Sequence, residues 1–416
     1  MACKTMIRQH TSSFDNYFTL NAKNGSRPSE KKQIGPLTVA EYFAGIGLVR
    51  MGLEPLGWKV IFANDISAKK HEMYKAFFSD SKGHYLVNDI FKIAPSQIPL
   101  TTLATCSFPC IDLSLAGNMN GIDGQYSSAF WGFMKILKSQ GEAAPPLVLV
   151  ENVPGWLYSN HGNDFRATVQ ALNKLGYACD VFILDALRFT PQSRSRVFLI
   201  GTKLPSTESN QECTFNILSR PKSLSSERLK KSIALNKDLR WFYINLPAPP
   251  PLNGGGLSSI IEPIKDSDER WWSAEEVQRH LEMMSADHLQ RVMQLAECNK
   301  ISYRTFYRRR RVEGQRAEVR DDDLAGCLRT AIGGSGKQFL IAGGKGGIKM
   351  RAMTPREYAR LQGVPDEYPI AVRGVQALTG FGDAVCVPVI LWIAKHALNP
   401  LAEQQLYEAR TVMHNG

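Results

Sequence analysis

From Leu37 onward, short apolar runs alternate with longer amphipathic segments. The runs have the length of buried β-strands. They predict strands at Leu37–Phe43, Lys59–Ala63, Tyr85–Val87, Thr101–Cys106, Leu147–Val150, Val181–Leu184 and Arg196–Ile200. Apolar positions recur at helical spacing in Ala68–Phe78, Ser128–Lys138 and Asp164–Leu175. This alternation predicts an open, mainly parallel α/β sheet.

The pattern divides the chain into four parts. Residues 1–36 are polar and predict a loosely ordered tail. Residues 37–202 carry the strand–helix alternation and form a first domain. Beyond them, glycine- and proline-rich stretches predict loop-rich pieces over residues 203–350, where only Ser273–Asn299 has a marked helical period. We expect this part to be a smaller inserted domain, with residues 351–416 returning to the first domain.

The composition narrows the class of protein. A net charge of +11 and a pI near 9.2 favour a polyanionic partner such as nucleic acid or a membrane surface, although a scattered basic surplus would look the same. The longest apolar run, Val385–Ala394, is about half of the ~20 residues that span a bilayer, so we expect no membrane segment. The eight cysteines include no CxxC pair, which argues against a zinc site and predicts a reduced, cytoplasmic protein.

The end of the first predicted strand has the features of a nucleoside-binding loop. Gly45 and Gly47 follow Phe43 and would let backbone amides approach a ligand at a helix N-terminus. Asp65 ends the second strand, where a carboxylate can accept hydrogen bonds from ribose hydroxyls. Asp89 follows the third strand and could hold an adenine amino group.

Two other interpretations compete with a nucleoside ligand at this loop. A dinucleotide-binding dehydrogenase is one, but its fingerprint fails because the third glycine would fall at position 50, which is Arg50. A structural glycine turn without a ligand would show the same FxGxG pattern.

Candidate catalytic groups follow the next strands. Cys110 comes directly after Pro109, and Glu151 ends the strand "PPLVLV", so a thiol and a carboxylate would share one crevice. Arg194 and Arg196 alternate and would lie on one side of an extended chain. The structural alternatives are a buried inert cysteine and a glutamate that only pairs with an arginine.

Taken together, these motifs identify a family resemblance. "FAGIG", "FPCIDLS", "ENVPGW", "QSRSR", "TPREYARLQGVP" and "GDAVCVPV" occur in an order that resembles the ordered motifs of bacterial DNA cytosine-5 methyltransferases. The likeness covers about residues 37–201 and 350–395, and the segment between them corresponds to the variable target-recognition region of that family. It implies a Rossmann-like, S-adenosylmethionine-dependent methyltransferase sheet with an inserted target-recognition domain.

The resemblance also implies roles for individual residues. Cys110 would be the nucleophile that attacks a flipped-out cytosine in double-stranded DNA, Glu151 would interact with the ring's N3, and Arg196, with Arg194, would position the base. S-adenosylmethionine would be held by Phe43, Gly45, Gly47, Asp65, Ile66, Asp89, Ile90, Pro109 and Asp383. Ser114 would contact DNA. Two positions depart from the usual pattern: Ile111 stands where Gln is common, and Asp383 where Asn is common.

A basic stretch in the inserted segment is the candidate for DNA recognition. Tyr303–Arg311 reads "YRTFYRRRR" and interleaves arginines with aromatic residues, which is typical of phosphate and stacking contacts. The arginines proposed to bind DNA are Arg304, Arg308, Arg309, Arg310 and Arg311. A solvated surface loop is the alternative.

Other functions within the same fold also remain open. An RNA methyltransferase usually has a shorter recognition segment, and a catalytically silent DNA-binding relative would not need the full set of catalytic residues. The variant "FPCIDLSLAG" resembles methyltransferases that accompany restriction or anti-phage systems, which implies associated defence proteins and a protein that acts at the bacterial nucleoid.

Overall fold

The protein is described by a computed structural model that covers residues 37–109, 128–252, 255–312, 314–331 and 336–415, with side chains to Tyr407. The predicted tail, residues 1–36, lies outside the described residues. Cys110, Ile111 and Ser114 also lie outside them.

Seven strands of the described chain form a large sheet, and each corresponds to a predicted strand. They are β1 (Leu37–Tyr42), β2 (Trp58–Asp65), β3 (Tyr85–Val87), β4 (Leu103–Cys106), β5 (Leu147–Asn152), β6 (Ala178–Asp185) and β7 (Ser195–Thr202). Their order across the sheet is β3-β2-β1-β4-β5-β7-β6. Strands β1 to β5 pair in parallel. The prediction of an open, mainly parallel α/β sheet is therefore confirmed.

Strand β7 runs antiparallel to both of its neighbours. Its reversed direction brings its first residues to the edge where the parallel strands have their carboxyl ends. Val197 pairs there with Asn152 at the end of β5, and Arg196 pairs with Leu184 near the end of β6. Side chains from the start of β7 and from the end of β5 therefore share one edge of the sheet.

Most helices of the described chain cover the two faces of this sheet. In chain order they are α1 (Leu48–Leu53), α2 (Ala68–Phe77), α3 (Ala129–Gln140), α4 (Asn163–Lys174), α5 (Asn210–Leu218), α6 (Glu227–Ala234), α7 (Ala274–Glu282), α8 (Ala286–Ala296), α9 (Pro355–Leu361), α10 (Val375–Asp383), α11 (Val387–Ile393) and α12 (Asn399–Asn415). The three helices predicted in the first domain are present as α2, α3 and α4, with ends within two residues of the predictions.

Strand residues alternate between two apolar cores, as the two-residue period of a strand requires. In β1, Val39 packs in the first core, whereas Ala40 and Tyr42 pack in the second. Helices α1, α2 and α9 to α11 line the first core, and α3 to α6 line the second.

A small antiparallel sheet follows in the chain. It contains β8 (Ser302–Arg311), β9 (Gly314–Val319), β10 (Gln338–Gly344) and β11 (Gly347–Ala352), in the order β11-β10-β8-β9. Lys345 and Gly346 join β10 to β11 with positive φ angles of 55° and 79°, as a two-residue hairpin turn requires. Helices α7 and α8 cover one face of this sheet. The helical period over Ser273–Asn299 belongs to two helices, because Ser285 caps the N-terminus of α8 and so separates it from α7.

Residues 203–350 contain more regular structure than their composition predicts. Helices α5 and α6 pack in the second core of the large sheet, and the buried Trp241 pairs with Cys179 of β6. Helices α5 and α6 therefore pack on the large sheet, and the small sheet starts only at Ser302. The domain boundary at residue 203 stays a prediction. The sequence carries one signal for α5, because Ser209 and Glu212 form a reciprocal capping box at its start.

The C-terminal helices form a longer apolar run than Val385–Ala394. The helical stretch Val375–Tyr407 is long and apolar enough to cross a membrane by composition, but its most apolar window is 72% buried inside the protein. Its residues belong to the first core of the large sheet.

Candidate active site

The loop after β1 has the backbone conformation that its glycines allow. Phe43, Gly45 and Gly47 have positive φ angles of 58°, 57° and 84°. A side chain on Gly47 would meet Phe78 at 2.5 Å. The loop is fixed by Asp65, whose Oδ2 accepts a hydrogen bond from the Gly45 backbone N–H at 3.0 Å.

The other predicted cofactor residues around this loop have different surroundings. The second oxygen of Asp65 accepts from the Ser67 N–H at 2.8 Å, so its carboxylate also shapes the chain around β2. Ile66 is 73% exposed, which leaves an apolar side chain available at the strand end. Asp89 accepts from the Phe91 N–H at 3.0 Å. Ile90 is buried against α3, where it lies close to Gly132.

The motifs "FPC" and "ENVPGW" meet at the ends of β4 and β5. Asn152 donates from Nδ2 to the Phe108 carbonyl at 3.2 Å. The Phe108 ring meets the buried Trp156 ring edge to face, with centroids 6.0 Å apart. Pro109 continues from this fixed point, and Cys110 is the next residue in the chain.

Glu151 and Arg196 form an ion pair at this edge. Arg196 Nε lies 3.0 Å from Glu151 Oε1, and their side chains are only 13% and 10% exposed. The antiparallel direction of β7 makes this contact possible. Glu151 therefore does pair with an arginine, as the structural alternative predicted. The pair lies at the position where a catalytic carboxylate was also predicted.

Arg194 is buried and makes a different set of contacts. Its guanidinium donates to the carbonyls of Leu328 (2.8 Å), Gly382 (3.2 Å) and Ala384 (2.6 Å). It thereby joins the start of β7 to the end of α10 and to the segment that precedes the small sheet's third strand. These contacts give Arg194 a structural task in addition to any role at the base.

Cys327 is a residue of this region that the sequence interpretation missed. Arg194 Nη1 and Arg196 Nη2 approach its sulfur at 3.5 and 3.6 Å, which confirms that the two arginines lie on one side of the chain. Burial raises the pKa of the Cys327 thiol, but the positive charges of Arg196, Arg194 and Arg329 together lower it below its usual value. No local pattern could have identified Cys327, because its partners lie more than 130 positions away.

Asp383 lies between two residues that were not predicted either. Its Oδ2 is 2.9 Å from Lys70 Nζ, and its Oδ1 accepts from the Thr330 hydroxyl at 2.7 Å. Burial lowers the pKa of Lys70, but the carboxylates of Asp383 and Asp65 raise it above its usual value. The carboxylate that departs from the usual Asn is therefore paired with an ammonium group.

The stretch predicted to bind DNA is a strand, β8, and its arginines point to two faces. Tyr307, Arg309 and Arg311 share one face with Glu318 of β9, which pairs with Arg309 at 2.8 Å and with Arg311. Tyr307 donates to the Cys327 carbonyl at 2.6 Å, so this face is directed toward the Glu151–Arg196 pair.

The opposite face of β8 packs toward α7 and α8. Phe306 belongs to the core of the small sheet, and the Arg308 guanidinium lies 4.7 Å from the Phe339 ring centroid. Arg304 and Arg310 lie on the same face of β8 as Arg308. The structure therefore does not bring the five predicted arginines to one surface.

Comparisons with known proteins agree with this architecture. The family model of the C-5 cytosine-specific DNA methylases matches residues 37–399. The chain is 27% identical over 379 residues to the type II methyltransferase M.DsaV of Dactylococcopsis salina, with 90% of each protein covered. It is 26% identical over 374 residues to M.HaeII of Haemophilus aegyptius, which covers 89% of this chain and 96% of that protein.

Solved structures show a similar fold. The Entamoeba histolytica methyltransferase EhMeth aligns with a TM-score of 0.59 at 15% identity and covers 88% of this chain and 98% of its own. The S. pombe Dnmt2 methyltransferase aligns with a TM-score of 0.55 at 16% identity, over 88% and 99% of the two chains. At this identity the likeness concerns the fold alone. The family match covers most of the chain, and the protein therefore belongs to the C-5 cytosine-specific DNA methylase family.

Proposed function

We propose that the protein transfers a methyl group from S-adenosylmethionine to carbon 5 of a flipped-out cytosine in a specific double-stranded DNA sequence, through a covalent adduct of Cys110. The observation that supports this most is the buried Glu151–Arg196 ion pair at the edge where β4 and β5 end. The Asn152–Phe108 hydrogen bond ties the motif that contains this glutamate to the chain two residues before Cys110.

The chemistry requires a nucleophile because carbon 5 of cytosine is too electron-poor to attack a methyl group. Addition of the Cys110 thiolate to carbon 6 forms a C–S bond and makes carbon 5 an enamine carbon. Carbon 5 then gains the methyl group and loses its proton to a base, and the C–S bond breaks with return of the thiolate. The ring is inaccessible inside a duplex, so the base has to be flipped out.

Glu151 and Arg196 would stabilise the charge that this addition creates. Electron density moves toward N3 of the ring, and a proton held between N3 and the Glu151 carboxylate would stabilise the adduct. Arg196 fixes the orientation of the Glu151 carboxyl group through Oε1, so the group does not need to reorganise during the reaction. Since both side chains are nearly buried, their electrostatic effect on the ring is larger than it would be in water.

The loop after β1 fits the cofactor. Gly45 is half-buried and lies at the surface of the loop, whereas Gly47 is buried against Phe78 and Tyr74. The exposed Ile66 offers an apolar surface for an adenine ring. When bound, S-adenosylmethionine supplies an electrophilic methyl group on a sulfonium ion. Asp65 already accepts backbone hydrogen bonds at both oxygens, from Gly45 in the loop and from Ser67 after β2, so its role toward the ribose would use the remaining lone pairs.

The decisive experiment combines methylation mapping with trapping of the adduct. Bisulfite sequencing of DNA from cells that express the protein should show 5-methylcytosine within one sequence motif. Duplex DNA that contains 5-fluorocytosine at that motif should form an adduct that survives a denaturing gel, because fluorine cannot leave as a proton does. Cys110→Ser should abolish the adduct and methyl transfer, since a serine hydroxyl is far less ionised at neutral pH.

A matched control is available for this experiment. Cys298 is exposed on the small-sheet side of the chain, and Cys298→Ser should leave adduct formation unchanged. An adduct mapped to any cysteine other than Cys110 would contradict the assignment. Methylation of RNA instead of DNA, or neither, would favour the two alternatives that the sequence left open. The type II names of the relatives also support a role beside a restriction nuclease. Identification of a nuclease that cuts the mapped motif would test this role.

A further inference from the structure

Asp383 joins three segments that are far apart in the sequence. Lys70 lies on α2, directly after the strand that carries Asp65, and Thr330 lies between the two hairpins of the small sheet. Both contact the Asp383 carboxylate, one at each oxygen. The carboxylate is 30% exposed and the Lys70 side chain 24%, so the pair is largely shielded from solvent.

Lys70 also borders the cofactor loop. A side chain on Gly45 would lie 3.9 Å from Lys70 Cδ and 4.0 Å from Asp65 Oδ2. The aliphatic part of Lys70 therefore lies beside the loop backbone, and its ammonium group ends at Asp383. A ligand that settles on this loop packs beside the lysine stem, and any shift of the stem moves the charge that holds Asp383.

Two glycines let the backbone of helix α10 contact the cofactor loop on one side and the chain before Thr330 on the other, with no side chain in between. A side chain on Gly380 would meet Ile46 of the cofactor loop and Met73 of α2 at 3.1 Å. A side chain on Gly382 would overlap the Arg329 carbonyl at 2.2 Å, next to Thr330. The last turn of α10 therefore contacts both the cofactor loop and the proposed recognition segment around Thr330, so a small displacement of one is felt by the other.

We propose that Lys70 and Asp383 are positioning residues that couple occupancy of the cofactor loop to the docking of the recognition segment on DNA, through the hydroxyl of Thr330. The inference rests on the proposed function, because it assumes a cofactor on the loop and DNA beside residues 307–330. Lys70 and Thr330 hold the two oxygens of Asp383. A cofactor packed beside the Lys70 stem would limit the movement of its ammonium group and would thereby fix the acceptor to which the Thr330 hydroxyl donates.

The test is the change in DNA affinity caused by S-adenosylhomocysteine, the product form of the cofactor, which permits binding without turnover. Binding of labelled duplex to the full chain is measured with and without it. Coupling between two sites is typically 5- to 150-fold and is reciprocal. We expect a ratio of at least about fivefold in the wild type, and a ratio near one in Lys70→Met and Asp383→Asn.

A matched control sits one residue away on the same helix. Lys69 pairs with Glu72 on the exposed side of α2 at 2.9 Å, so Lys69→Met removes the same charge without touching Asp383. It should keep the wild-type ratio. Lys70→Arg should restore most of the ratio, because it keeps a cation that can reach the carboxylate, and Thr330→Val should reduce it without a change in cofactor affinity.

The outcomes separate this inference from the proposed function. A residue with only a structural role would weaken DNA binding equally with and without S-adenosylhomocysteine, and an unchanged ratio in Lys70→Met and Asp383→Asn would overturn the coupling. A wild-type ratio near one, together with normal methylation, would also overturn it while the proposed function stands. Failure of the wild type to bind either ligand would instead remove the proposed function.

Discussion

The two faces of β8 predict that its arginines are unequal in DNA binding. Arg309 and Arg311 share the face of Tyr307, whose hydroxyl contacts Cys327, whereas Arg308 and Arg310 share the opposite face, where Arg308 lies over the Phe339 ring. Replacing the first pair by glutamine should weaken binding and reduce its salt dependence. Replacing the second pair should change neither by much, although it removes the same charge from the same strand.

The magnitude follows from the number of phosphate contacts. Each contact between an arginine and a phosphate contributes about 0.9 to the slope of log affinity against log salt, so loss of two contacts lowers the slope by about 1.8. Glu318 pairs with both Arg309 and Arg311 and would compete with phosphate for them. Glu318→Gln should therefore have the opposite sign and raise affinity at low salt.

The assay is fluorescence anisotropy with a labelled duplex at several salt concentrations. It uses the full chain, a duplex with the methylated motif and a scrambled duplex, and thermal unfolding confirms that each variant is folded. Equal slope changes for the two arginine pairs would refute the assignment of faces. If Arg309→Gln with Arg311→Gln changes discrimination at one base but not the slope, these side chains read bases and do not bind phosphates.

Two further predictions concern stability. Burial raises the pKa of Glu41 from its ordinary 4.5 to about 8, although Arg50 lowers it in part. The folded protein therefore keeps a proton that the unfolded chain releases, so this group's contribution to stability is present below about pH 4.5 and is lost as the pH rises to about 8. Denaturant titrations across this range should show a loss of about 1.4 kcal/mol per pH unit that is absent in Glu41→Gln, and parallel curves would contradict it. Gly382→Ala should lower the free energy of unfolding by about 1–3 kcal/mol and weaken DNA binding, because its Cβ would overlap the Arg329 carbonyl. Gly83→Ala is the control, because a Cβ there meets open space, and it should be neutral in the same thermal unfolding and binding measurements.

The large sheet was predictable because its signals are local. A buried parallel strand is a short apolar run, and each of the seven runs became a strand. The strands of the small sheet were missed because β8 is mostly arginine and aromatic, and β10 ends in two glycines. Such strands are defined by their pairing partners and not by an apolar alternation of their own.

The candidate site was predictable in part for the same reason. Motifs that follow strand ends identify Glu151 and Asp65, since sheet topology brings strand ends together. Cys327, Thr330 and Lys70 reach the site across separations of 131, 53 and 313 residues. No pattern within a window of the sequence contains such a pair, and single side chains of this kind are found only from the folded chain.

The direction of β7 shows how one topological feature organises the site. A parallel strand in this position would carry Arg194 and Arg196 to the opposite edge of the sheet, about 20 Å away for a strand of this length. Because β7 runs antiparallel to β5, it places Arg196 beside Glu151. The same direction lets Arg194 bind the end of α10 and the segment that includes Cys327. Arg196 thus orients the candidate catalytic carboxylate, and Arg194 fastens the segment around Leu328 next to it. Under the proposed function, substitutions in this segment should alter the DNA sequence that is recognised without disturbing the chemistry, provided that these backbone contacts remain.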